Sequence, residues 1–200
     1  HRFIDQGSRL KRTIFTPTQA AETYERVLGM HRAFNRAAGH GEVIKYVRDS
    51  HSSAESKRVE HYLAKASIAD SSAAERIHEP VGIVEVSWQI DVPKTMAAIT
   101  AAPAEIGDEH IWAALLLIEY ASNAMPIAGS NPARSPDMIY QGVLACDTTH
   151  LRPFGVPSMV LLQHDDPKRP DKWSPHALPM LYMAPSRKTE SKQYAMFWDP

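Results

Sequence analysis

The sequence predicts an α+β fold: a helical N-terminal part packed on a mainly antiparallel sheet that the C-terminal part mostly supplies, with a central buried helix near residues 108–124. Three observations carry this. Of 15 prolines only Pro17 falls within residues 1–79; proline fixes φ and removes a backbone donor, so the first part can run as continuous helix while the second must be short segments between turns. Apolar residues from Tyr24 to Ala38 recur at a spacing of three and four, the period of a core-facing helix. Those from Val84 to Ile90 alternate with polar ones, the period of a half-buried strand. One domain over 1–200 accommodates both parts, with 1–79 as the helical layer and 80–200 as the strand-rich, proline-rich part.

Taken in order, Thr16-Pro17-Thr18-Gln19 reads as a capping box with proline at the first helical position. The helix it opens carries Tyr24, Val27, Leu28, His31, Phe34 and Ala38 on one stripe, and Gly39-His40-Gly41 stops it. Residues 42–48 fit a short strand or a helical turn, and a polar loop follows from Asp49 to Ser53. A second helix over about 54–69 sets Val59, Tyr62, Leu63 and Ala66 on one side and Lys57, Arg58, His61 and Lys65 on others. The strand at 84–90 ends at Asp91-Val92-Pro93. Asp108 is placed to cap a helix from Glu109 to Ala124 that is apolar almost all round. Beyond Pro126, residues 138–146, 158–164, 180–183 and 193–198 read as short strands. This order is similar to that of acyl-CoA-dependent N-acyltransferases, but residues 91–108 lack the glycine-bearing loop that would cradle pyrophosphate, and the family is not assigned.

Composition narrows the function classes. The formal net charge is -1, so no overall field draws in polyanions or membranes and any such binding must come from a local patch. A single cysteine cannot form an internal disulfide, which favours a reducing, cytoplasmic setting. The apolar run from Ile111 to Ile118 falls far short of the roughly 18 residues that span a bilayer. The first residue is His1, so the absence of a leader says nothing about targeting.

The candidate chemistry lies in the second part. Cys146, Asp147 and His150 close one expected strand, and His164, Asp165 and Asp166 close another. Strand ends are where loops shape pockets on a rigid support. If the two ends meet, a thiol, two imidazoles and carboxylates converge, which suits acid–base hydrolysis or group transfer on a small molecule or a protein side chain. In that scheme His164 is the acid/base, Asp165 or Asp166 orients it, His150 stabilises charge, and Cys146 is nucleophile or metal ligand. Cys146 and His150 have ligand types that suit a metal, with His164 or Asp165 as a third, but the second pair, His164 with its adjacent aspartate, matches a structural zinc site poorly; no metal site is assigned and the cofactor is unknown. His31 stands on an apolar stripe, which suits either a core histidine bonded to a backbone carbonyl or a base facing Glu85. Glu85 on a strand suggests a metal-dependent nuclease, but Ser87 stands two residues on where a lysine would stabilise developing charge, and that reading is set aside. Glu119 interrupts the buried helix, which suits either a desolvated carboxyl or, more commonly, the one wet edge of the helix.

The alternative class is a nucleic-acid-binding or protein-interaction module built on the basic N-terminal helix. Arg32 and Arg36 share a face there, with Tyr24 and Phe34 nearby. No motif present is specific enough to name a reaction.

Overall fold

The computed structural model describes residues 1–5, 7–18, 20–37, 39, 40, 42, 43, 45–48, 57–72, 79–129, 132–145, 148, 151–162, 176–186 and 194–200. The fold is α+β, as the sequence predicts. It divides into two compact units, His1–Gln89 and Ile90–Pro200.

In the first unit, β1 (Arg2–Ile4) and β2 (Lys11–Thr13) form an antiparallel hairpin with Arg2 opposite Thr13. Periodicity does not reveal strands of three residues, which hold too little of a two-residue repeat. Helix α1 (Ala21–Ala37) starts later than the expected capping box: the Thr16 hydroxyl donates to the Thr18 carbonyl at 2.9 Å, and Gln19 lies outside the described residues. Its end is as expected. Gly39 takes φ 76°, its N–H donates to the Arg36 carbonyl at 3.0 Å, and the His40 N–H donates to the Asn35 carbonyl at 2.9 Å, a pair of bonds that satisfies the orphan carbonyls of the last turn. Strand β3 (Lys45–Arg48) settles the ambiguity at 42–48, and it pairs in parallel with β4 (Ala69–Ser72). A parallel pair needs a crossover, and α2 (Lys57–Lys65), inside the expected 54–69, lies between the two strands in the chain. The core joins Phe3, Ile14, Val27, Leu28, Val59, Leu63 and Ile68.

Helix α3 (Glu79–Thr100) corrects the strand expected at 84–90 and contains Pro93 rather than ending at it. The cause is an inverted polarity. Its buried positions include Ser87, Asp91 and Thr95, one face at four-residue spacing, while Val86, Ile90, Val92 and Met96 are exposed. A hydrophobic pattern that does not track burial cannot report the period of the element.

In the second unit, a 3-10 turn (Asp108–His110) leads into α4 (Ile111–Ala124), the buried helix that the apolar run predicts. Asp108 lies within that turn, whose N-cap is Gly107 with no side-chain cap, so the expected Asp108 cap is not formed. Ala113, Ala114 and Leu117 of α4 join Ile106, Phe154, Leu181, Tyr182, Met183 and Ala184 in the core. Glu119 is fully buried rather than at a wet edge. The strand expected at 138–146 is instead α5 (Pro136–Gln141) over its first part: Ser135 Oγ accepts from the Met138 N–H at 3.2 Å, proline takes the first helical position, and Gly142 at φ 67° ends the helix. The remaining strands appear as β5 (Pro157–Leu161), β6 (Ala177–Ser186) and β7 (Tyr194–Trp198), an antiparallel sheet in the order β5-β6-β7. The β6–β7 register shifts between Tyr182 and Ala184, an irregularity that leaves Met183 unmatched on the partner strand and buried in the core.

Candidate functional site

All four residues expected to carry chemistry, Cys146, His150, His164 and Asp165, lie outside the described residues, as do Asp147 and Asp166. What the structure does place is a set of charged and aromatic groups in the first unit, on and around β1, α1 and α2.

The β1–β2 turn begins with Asp5. Its Oδ2 accepts from the Ser8 N–H and from Ser8 Oγ, both at 2.7 Å, and Ser8 Oγ accepts from the Leu10 N–H at 3.2 Å. These bonds hold a turn in which Arg9 takes φ 62°, a left-handed conformation that a non-glycine residue adopts only when its surroundings enforce it. The Asp5 carboxylate is therefore fixed at the exit of a strand while the residue stays exposed.

Arg2, at the other end of β1, ties this hairpin to α3. Its Nη1 donates to Ser87 Oγ at 2.7 Å, its Nε donates to Thr13 Oγ1 at 3.1 Å, and its guanidinium lies 4.0 Å from the centre of the Trp88 ring. Glu85, two residues before Ser87, is exposed on this helix. The objection to a nuclease role for Glu85 assumed a strand, where the residue two positions on shares its face. On a helix, residues two apart do not face each other, so Ser87 gives no ground for it. Among the described residues no three His, Cys, Asp or Glu side chains gather closely enough to hold a metal ion.

His31 fits neither sequence reading. It stacks on Phe3 with ring centroids 4.3 Å apart and planes within 8°, and its buried Nδ1 has no hydrogen-bond partner among the described residues. Burial first, and then the nearby Arg12 cation, lower its pKa to about 4, partly opposed by Asp5. It is a neutral packing group at pH 7.

The basic face expected on the first helix is largely neutralised. Arg32 Nη2 lies 3.0 Å from Glu42 Oε2, and Arg36 also pairs with Glu42, whose carboxyl is held below its ordinary pKa by Arg32 and then by Arg36. Tyr24 and Phe34 are already engaged, Tyr24 through a 2.7 Å hydroxyl contact with Tyr46, and Phe34 beneath the Arg12 guanidinium at 3.9 Å.

The cations that do line a concavity are mostly on α2. A groove of about 560 Å³ is bounded by Glu25 and Arg32 from α1 and by Arg58, His61, Tyr62 and Lys65 from α2, with Ala66 just beyond it. Arg58 Nε reaches Glu25 Oε2 at 2.6 Å, and Arg32 Nη1 donates to the Tyr62 hydroxyl at 3.4 Å. The sequence marks Arg58, His61 and Lys65 only as the polar side of a helix. Their shared wall becomes visible when Val59 and Leu63 are seen to be the buried pair. Asp5 could have been found as the polar residue that follows the apolar Phe3-Ile4 pair and precedes Gly7-Ser8.

No family model matches the chain, and no curated protein matches it. Solved structures do. One is a chain from the cryo-EM structure of the simian T-cell lymphotropic virus intasome in complex with PP2A regulatory subunit B56 gamma, with a TM-score of 0.57 at 12% identity over 99% of this chain and 69% of that one. Another is the catalytic core domain of BIV integrase, with a TM-score of 0.51 at 16% identity over 70% of this chain and 84% of that one. The fold is thus shared with an integrase catalytic core.

Proposed function

We propose that the chain is an integrase-type core that binds DNA and acts on its phosphodiester backbone. The observation that carries this is the fold likeness to a chain of an intasome assembly over 99% of the sequence. The first unit adds chemistry of the right kind: Asp5 is held at a strand exit, and Glu85 lies exposed on a helix that Arg2 fastens to the same strand. A carboxylate so placed takes the proton of an attacking water or hydroxyl as the new phosphorus–oxygen bond forms, while the bond to the leaving oxygen breaks and that oxygen is protonated. Divalent cations commonly assist phosphoryl transfer. The described residues alone do not fit one, since no three His, Cys, Asp or Glu side chains among them gather closely enough. Asp49 follows β3 in the chain, lies outside the described residues, and joins the test as a third carboxylate.

The test is cleavage and joining of labelled duplex oligonucleotides by the purified chain in magnesium or manganese buffer. Asp5→Asn, Asp49→Asn and Glu85→Gln should each lower the rate by about 100-fold or more with the melting temperature unchanged. Asp5→Asn keeps an acceptor oxygen for Ser8, so the turn survives. Full activity in the variants would remove the carboxylate roles, and a wild-type chain that neither binds nor cuts DNA would remove the whole reading.

Acid–base chemistry at His164, Asp165, His150 and Cys146 is the second reading. Its support is β5, which ends at Leu161 three residues before His164; the helix α5 in place of the other expected strand takes support from Cys146 and His150. Under this reading His164→Ala abolishes turnover in a folded protein, and an active variant would dismiss it.

A further inference from the structure

We infer that the groove between α1 and α2 is a binding site for the sugar–phosphate backbone of DNA. The inference rests on the proposed function for the identity of the polyanion, whereas its anionic character follows from the groove itself. Arg58, His61 and Lys65 stand at i, i+3 and i+7 on α2, which places them within about 60° of one another around the helix. All three are exposed. From Arg58 to Lys65 the helix rises about 10 Å, close to the rise of three successive steps along one strand of a duplex at about 3.4 Å each. The groove is lined by three cations, Arg32, Arg58 and Lys65, and one carboxylate, Glu25, in a chain whose net charge is -1, and Glu42 pairs Arg32 from outside the lining.

The polar side chains of the lining are not equally committed. Glu25 is held by Arg58, and Arg32 is shared between Glu42 and the Tyr62 hydroxyl. For His61 and Lys65, no ion pair or hydrogen bond is formed with any described residue. They are the groups ready to meet phosphate oxygens, and Arg58 joins them when a phosphate displaces Glu25. No aliphatic side chain larger than that of Ala66 lines the groove, and Tyr62 and His61 are its only aromatic rings. Protein partners usually anchor an aromatic or aliphatic side chain in an apolar pocket, whereas a backbone-tracking nucleic-acid site needs only spaced cations.

The experiment measures binding of a labelled 30-base-pair duplex by fluorescence anisotropy over a salt series. His61→Ala combined with Lys65→Ala should weaken binding about tenfold and make the slope of log affinity against log salt shallower by about one. Lys94→Ala, which removes the same charge from the second unit, should leave both unchanged. Glu25→Gln releases Arg58 and should tighten binding several-fold, a gain that misfolding cannot produce. Wild-type affinity and slope in the double variant, an equal loss in Lys94→Ala, or no gain in Glu25→Gln would each overturn the site while leaving DNA processing by the chain intact. Displacement of the duplex by polyglutamate of equal charge would assign the groove to an acidic protein and overturn it as well. A wild-type chain with no affinity for the duplex would end both this site and the function proposed above.

Discussion

His31 couples packing to proton binding. In the unfolded chain its imidazole titrates at its ordinary value of 6.5, whereas stacked on Phe3 and near Arg12 it titrates at about 4. Between these values the unfolded state binds a proton that the folded state refuses. The stabilisation is therefore complete above pH 6.5 and drains away as the pH falls towards 4, by roughly 3 kcal/mol in all. Urea midpoints at pH 7.5 and pH 4.5 should differ more for the wild type than for His31→Leu, which cannot titrate; equal differences would refute the assignment. The candidate site was partly legible at this scale. Glu85 and His31 stand out in the sequence by type and context, but their roles depend on what faces them. Glu85 changed meaning when its strand became a helix, and the neutral state of His31 follows from Phe3 and Arg12, which are 28 and 19 residues away in the chain.

Among the elements, α2 and α3 show where local signals suffice and where they fail. The end of α2 is built like that of α1, with the Ser67 N–H donating to the Ala64 carbonyl at 3.1 Å and the Ile68 N–H donating to the Leu63 carbonyl at 2.9 Å, but the left-handed residue, at φ 55°, is Ser67 instead of glycine. Relief of that backbone cost in Ser67→Gly should raise stability by about 1 kcal/mol, measured as a shift in the denaturant midpoint. The amphipathic α1 and α2 were legible because their apolar faces are their buried faces. In α3, polar Ser87, Asp91 and Thr95 are buried and valines are exposed, so the alternation of Val84, Val86, Trp88 and Ile90 imitates a strand. Pro93 offers the sharper test. Inside a helix it removes one backbone hydrogen bond and clashes with the preceding turn, at a cost of roughly 3 kcal/mol, while its stiffening of the unfolded chain returns about 1 kcal/mol. Pro93→Ala should then stabilise the protein by roughly 2 kcal/mol. At the end of a strand, as periodicity implies, the same change would be neutral or destabilising.

For the whole molecule, the proline contrast that predicts two kinds of structure meets a division of a different origin. The two compact units part at residues 89 and 90, inside α3 and between Pro80 and Pro93, where nothing in the proline pattern marks a break. Composition reports where the chain can turn; a compact unit depends on which side chains close around a core, and these contacts join residues far apart in sequence. Phe3 meets Leu63 and Ile68 in one cluster, and Ile106 meets Phe154 and Tyr182 in the other. Separate cores make stability separable. Leu63, only 1% exposed, anchors the first cluster, and Leu63→Ala should cost that unit roughly 2–5 kcal/mol in lost burial and an unfilled cavity. Hydrogen exchange followed by mass spectrometry reads each unit by itself. If the cores act independently, amides of α1 and α2 lose protection by about that amount, while those of α4 and β6 keep most of theirs. An equal loss in both sets would mean that the shared helix α3 binds the units into one cooperative domain, as the length of the sequence alone leads one to expect.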